Sequence, residues 1–221
     1  MFTPNLDLYV PFEDSERMGK SPYIAVFRKG GKHLIYIAEN HIANESFDMT
    51  DFCLSDKDLP MPDVAVIEFE NENRPVTTGL IQRNSLIYTG AVAAKKGIPV
   101  VFADLSQDEM LDVLRKQHND QTLTTEDLIK TLRAGGPSTK KGLYNLMSYN
   151  LNKYGRDAYM VKNIAAALNK YNVVLVTMGE GHYRTHRLII EDMMGTPEYI
   201  NRVPNSRGDF STTEIKPIKL I

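Results

Sequence analysis

At 221 residues, 42% of them hydrophobic and 24% charged, the chain has the composition of an ordinary globular protein with a sizeable core. A net charge of -2 leaves no electrostatic footprint for nucleic acid, so none is expected as a partner. Cys53 is the only cysteine, which excludes an intrachain disulfide and a four-cysteine zinc site and leaves His, Asp and Glu as the ligands for any metal.

The N-terminal stretch MFTPNLDLYVPFEDSER carries acids and prolines where a secretory signal needs a basic start and an apolar run. No segment approaches the roughly 18 apolar residues of a membrane span, and the expectation is a cytoplasmic protein. Residues 23–28, YIAVFR, and 33–38, HLIYIA, flank Lys29-Gly30-Gly31-Lys32, which predicts a β-hairpin. After Asp63 the run VAVIEF is apolar on both parities, as in a strand covered on both faces. A helix is predicted over 85–96, ending at Gly97, then a buried strand over Ile98 to Ala103. Ser106-x-x-Glu109 and Thr124-x-x-Asp127 are capping boxes that open two helices, the second stopped by Gly135-Gly136-Pro137. Helical spacing of Met160, Val161, Ile164, Leu168 and Tyr171 predicts a helix over 157–171, followed at once by the strand VVLVTM.

Strands alternating with helices predict an α/β fold, its central sheet mixed and mostly parallel with helices on both faces and the hairpin at its N-terminal side. The division expected is a single domain over 1–221, with a core over about 23–200 and a helical insertion or cap over about 115–155.

Two apolar runs end alike: IYIAENH at 35–41 and VVLVTMGEGH at 173–182 each finish in an acid and a histidine. In an open α/β sheet ligands bind at the carboxyl ends of parallel strands, where His41, Glu68, Asp104 and His182 all fall. Arg156 opens the helix preceding the last strand and therefore lies near that strand's finish. Two histidines and a carboxylate suit a catalytic divalent metal, and a nearby arginine suits a developing oxyanion. The bland readings are a buried Glu68 paired with an arginine, Asp104 capping a helix, and His41 as a satisfied interior histidine. His186, four residues after His182, lacks the zinc-protease pattern and is read as a supporting or surface residue. His33 and His118 read as solvated, GEGH lacks a dinucleotide fingerprint, and RGD at 207–209 reads as a chance loop sequence.

From YIAVFRKGGKHLIYIAENH through PDVAVIEFE and GIPVVFAD to GRDAYMVKNIAAAL and VTMGEGHY, the chain resembles the TraB, PrgY and GumN group with the TIKI proteins. That group lies in a superfamily with ChaN-like haem-binding lipoproteins and erythromycin esterases. Its members pair two G-x-x-H motifs with a Glu after the second strand and an R-[ND]-x-x-M element. The matching positions are His41, Glu68, Arg156 and Gly179 to His182, with Ala38 departing from the usual glycine. The resemblance implies a mixed sheet sandwiched by helices and metal-dependent hydrolysis of a peptide or small acyl substrate. On that reading His41, Glu68 and His182 hold Mn, Co or Zn, and Arg156 stabilises the oxyanion. Glu68 also orients the water, and Glu39 or Glu180 is the acid/base. The alternatives are an esterase, or a ChaN-like module that holds metal or haem without turnover. As a strand-end loop residue, His182 is expected to contribute little to the fold.

Overall fold

The computed structural model describes residues 1–16, 21–41, 44–55, 57, 59–70, 78–134, 142–200 and 218–221. The predicted helix stop at 135–137 and the RGD tripeptide lie outside the described residues.

The first two strands, β1 (Tyr23–Lys29) and β2 (Lys32–Glu39), pair antiparallel across Gly30 and Gly31. Both glycines have positive φ, +57° and +77°, which the tight turn of a two-residue hairpin demands. Then follow α1 (Asn44–Ser55), β3 (Val64–Glu70), α2 (Thr78–Arg83), α3 (Ser85–Lys95) and β4 (Val100–Asp104). Four helices lead to the last long strand: α4 (Gln107–His118), α5 (Thr125–Arg133), α6 (Gly142–Leu151) and α7 (Asp157–Lys170). Then come β5 (Val173–Gly179), α8 (Glu180–Met194) and the edge strand β6 (Glu198–Ile200).

The sheet runs β4-β3-β5-β2-β1-β6, with β4, β3, β5 and β2 parallel and β1 antiparallel to both its neighbours. It is the mixed, mostly parallel sheet expected. Its two faces carry separate clusters set by strand alternation. Ile35, Ile37, Ala65, Ile67 and Leu175 meet Phe47, Leu54, Ile87 and Ala91 of α1 and α3. Tyr36, Ala38, Val64, Val66, Val176 and Met178 meet Met160, Ile164, Ile189 and Ile190 of α7 and α8. The helices between β4 and β5 add a third cluster, in which Leu128, Met147 and Leu151 of the region read as an insertion or cap pack on Leu111 and Leu114 of α4, which precede it.

Both capping boxes form, each with its reciprocal pair of hydrogen bonds. The predicted strand over 98–103 starts two residues late. Ile98 N–H still bonds Ala93 C=O, and Pro99 has no N–H to offer a ladder. The larger difference is at GEGH: β5 ends at Gly179 and α8 begins at Glu180, so His182 lies in the first turn of a helix and not in a loop.

Candidate active site

In the sheet order β3 and β2 flank β5, so the carboxyl ends of all three strands lie side by side. Glu39 continues the Ile35-Ile37 parity on the α1/α3 face, whereas Glu68 continues the Val64-Val66 parity on the α7/α8 face. The two faces meet over Gly179. Its φ of -57° and ψ of 145° suit any residue, so the glycine is there for space: a Cβ would stand 3.0 Å from His41 Nε2 and 3.4 Å from Glu68 Oε2. Gly179 N–H also donates to Glu68 Oε2 at 2.7 Å, which anchors the carboxylate. Gly179→Ala is therefore expected to keep the fold and turn the His41 ring outward. The ring's shifted Cε1–H resonance would report it. An unmoved resonance would mean the methyl is absorbed elsewhere.

Glu68 is the hub. Its Oε1 accepts from His182 Nε2 at 3.0 Å and from Arg156 Nη2 at 3.2 Å, while its Oε2 lies 3.9 Å from His41 Nε2. Arg156 grips Asp104 with two nitrogens, Nε to Oδ1 at 3.0 Å and Nη2 to Oδ2 at 2.5 Å. Behind His182, Nδ1 donates to Asp157 Oδ1 at 2.5 Å. Behind His41, Nδ1 lies 3.8 Å from Glu39 Oε1, which itself accepts from Thr177 at 3.0 Å. Each motif histidine thus has a carboxylate at its back and the same carboxylate in front.

The protonation states follow from this crowding. Burial alone would push the Glu68 carboxyl up, but His182, Arg156 and His41 outweigh it and hold Glu68 well below the usual range. Burial would likewise lower His182, yet Glu68 and Asp157 raise it to about 10, so the ring is an imidazolium at neutral pH. Asp157 is held down against burial by His182, His186 and Arg156. His41 is raised chiefly by Glu39, against burial, with Glu68 adding to the rise.

Stability then has two pH limits. With a folded pKa near 10 against an ordinary 6.5, His182 contributes in full below 6.5 and loses its contribution as pH rises through about 10. Glu68 and Asp157, depressed from 4.5 and 3.8, contribute above those values and lose their contribution as pH falls below them. Urea midpoints of chelator-treated protein are expected to be highest between about pH 4.5 and 6.5 and to fall on both sides. A midpoint that does not decline between pH 6.5 and about 10 would contradict the imidazolium.

Of the predicted residues, His41, Glu68, Asp104, Arg156 and His182 come together. Asp104 is Arg156's partner, and Ser106 caps α4 in its stead. Glu39, 2% exposed, sits behind His41 and cannot reach a substrate. Glu180 is half-buried at the start of α8 and forms no hydrogen bond or ion pair with another described residue; its charge is felt by Tyr23. His186 is fully buried, not a surface residue, and meets the Tyr36 hydroxyl at 2.7 Å through Nε2. Burial keeps it neutral by lowering its pKa to about 4, against the pull of Asp157.

The sequence reading overlooked Asp157, although the R-[ND]-x-x-M element contains it, and it overlooked Asn152. Asn152–Arg156 form a π-helical turn between α6 and α7, a widened geometry common at functional sites. Gly155 lets the turn pack closely on α4, since a Cβ there would lie 3.0 Å from Val113. A cavity of about 290 Å³ opens beside this turn, walled by Phe12, Leu132, Asn152, Arg156 and His182 but not by His41.

The donor chemistry of His41, Glu68 and His182 fits a divalent metal: two imidazole Nε2 atoms face one carboxylate, with carboxylates at both Nδ1 positions as in metal-bound histidines. As the side chains stand they are closed on one another as ion pairs. Among the described residues no group of three or more His, Cys, Asp or Glu is disposed to hold an ion. The Nε2 proton of His182 fills the place between ring and carboxylate that an ion would need.

Comparison of the chain with known proteins returns no matching family model, no matching curated protein and no matching solved structure. Among the described residues, no helix is long and apolar enough to cross a membrane.

Proposed function

We propose that this sheet edge is the active site of a metal-dependent hydrolase that cleaves a peptide or related acyl bond. The observation that carries the reading is the pair of histidines, His41 and His182, facing the two oxygens of Glu68 with Glu39 and Asp157 behind them. When bound by His41, Glu68 and His182, a divalent ion such as Mn, Co or Zn supplies a water acidic enough to ionise near neutral pH.

The protein's own residues divide the remaining work. Asp157 fixes the His182 ring by a hydrogen bond, whereas Glu39 stands 3.8 Å behind His41 and acts through its charge on that ring and not on the substrate. Arg156 commits Nε and Nη2 to Asp104 and Glu68, and among the described residues Nη1 has no hydrogen bond. Since Arg156 forms part of the cavity wall, Nη1 is the donor for the oxygen of an attacked carbonyl. Glu180 has no step in this arrangement.

A second reading has one observation in its favour. Among the described residues, His41 alone in the cluster has ring nitrogens without a hydrogen bond, at 3.8 Å and 3.9 Å from Glu39 and Glu68, and its side chain is 41% exposed. Such a histidine can act as a general base on water with no metal, as an esterase would use it.

A set of amide and ester substrates, assayed with chelated protein and with the same protein reloaded with Mn, Co or Zn, separates these readings. Hydrolysis restored only by metal supports the first, and hydrolysis unaffected by chelation supports the second. Metal uptake with no turnover of any substrate would make the edge a binding module and overturn both.

A further inference from the structure

Helix α8 brings His182, Thr185 and His186 to one side, where all three approach Asp157 at the start of α7. Asp157 and His186 are both buried, so water does little to screen one from the other. The single proton of the neutral His186 ring can sit on either nitrogen, and the neighbours decide which. Nε2 lies 2.7 Å from the Tyr36 hydroxyl, which has no other hydrogen-bond partner among the described residues. Nδ1 has no hydrogen bond and lies 4.0 Å from Asp157 Oδ1. Burial keeps the Tyr36 phenol protonated, so it has a hydrogen to place. A proton on Nε2 would leave that hydrogen without an acceptor and put an electron-rich nitrogen 4.0 Å from a carboxylate oxygen. A proton on Nδ1 lets Tyr36 donate to Nε2 and puts a positive N–H beside Asp157.

We propose that Tyr36 and His186 are positioning residues for His182. Tyr36 fixes the His186 proton on Nδ1, that N–H steadies the charge on Asp157, and Asp157 holds a proton on His182 Nδ1, which leaves His182 Nε2 as the nitrogen offered to a metal. This role rests on the metal-site reading of His182; the placement of the His186 proton does not. At 4.0 Å the His186 N–H is beyond hydrogen-bond length and acts through its partial charge, which is felt more strongly in a buried site than in water. The two oxygens of Asp157 are used unequally. Oδ1 serves both histidines, while Oδ2 accepts from the Thr185 hydroxyl at 3.4 Å. Tyr36 belongs to β2, so the strand that leads to His41 also supports the ring of His182.

The first measurement uses the chelated full chain. Long-range proton–nitrogen spectra of its histidine rings are expected to show His186 neutral at neutral pH with its proton on Nδ1. A proton on Nε2, or on both nitrogens, overturns the proposal whether or not any variant folds. The second is zinc affinity, by competition with a chromophoric chelator, for the parent, His186→Leu and His186→Asn, with folds checked by circular dichroism. Asparagine places an amide N–H near the position of Nδ1, whereas leucine fills the space with nothing to donate. His186→Leu is expected to bind zinc about tenfold more weakly, the lower end of what loss of an outer partner costs, and His186→Asn to recover most of that. If His186 only filled a buried space, leucine would be tolerated better than asparagine, so equal affinities or the reverse order overturn the proposal. A parent protein that binds no zinc ends the metal site, and the His182 Nδ1–H resonance of the chelated protein then decides the positioning. That resonance is expected to move in His186→Leu and return toward its parental place in His186→Asn; an unmoved resonance overturns the proposal.

Discussion

Arg156→Met is expected to lower turnover about 10²- to 10³-fold, the usual cost of removing one oxyanion donor. It is also expected to destabilise the fold by about 3–5 kcal/mol, because the buried Asp104 and Glu68 carboxylates lose the cation that balances them. Arg156 is 17% exposed, so solvent does little to compensate. Urea unfolding and steady-state kinetics on the same preparation read the two effects separately. Arg156→Lys retains the charge but not the planar fork, and is expected to recover more of the stability than of the rate. Parental turnover in a folded Arg156→Met variant would reduce the arginine to the partner of Asp104 and remove the oxyanion step.

His182→Ala is expected to cost a similar amount in stability, contrary to what a loop residue would show. The imidazolium lies between Asp157 and Glu68, its side chain 16% exposed, and its loss leaves two buried carboxylates short of a partner. The deficit should depend on pH with a definite sign. Below about pH 4.5 the parent loses the contribution of its two depressed carboxylates, whereas the variant has less to lose, so the gap between them narrows on going from pH 5 toward pH 3. A gap that stays constant would indicate that the ring matters only by its packing.

The fold was legible where one periodicity dominated. The Gly-Gly hairpin, the doubly apolar runs at 64–69 and 173–178, and the two capping boxes each encode their element locally. From the rule that ligands gather at carboxyl ends of parallel strands, Glu68, Arg156 and His182 could be placed together before their contacts were known. Other features had no comparable local signal. Helix α1, with Phe47, Phe52 and Leu54 buried, is short and carries acids within its pattern. The start of α8 at Glu180 follows directly from β5, and two glycines in GEGH disguise it as a loop. The close packing of the π-helical turn on α4 brings Gly155 against Val113, a contact across 42 positions of sequence that no local pattern announces.

Burial changed the roles of the acids more than their places. Glu39 and Glu180 both sit beside a motif histidine in sequence, but strand alternation sends Glu39 beneath His41, and the helical turn leaves Glu180 half-buried and unpaired among the described residues. Asp157, one position after Arg156, is instead the carboxylate that holds His182.

The central claim is that His41, Glu68 and His182 can hold one metal ion. X-ray absorption on zinc-reloaded protein tests it most directly, since imidazole rings give a recognisable outer-shell scattering pattern. The account predicts one tightly bound zinc with two imidazole nitrogens and carboxylate or water oxygens at about 2.0–2.2 Å, and a single imidazole in His41→Ala. No stoichiometric zinc, or a bound zinc with no imidazole in its shell, would contradict it.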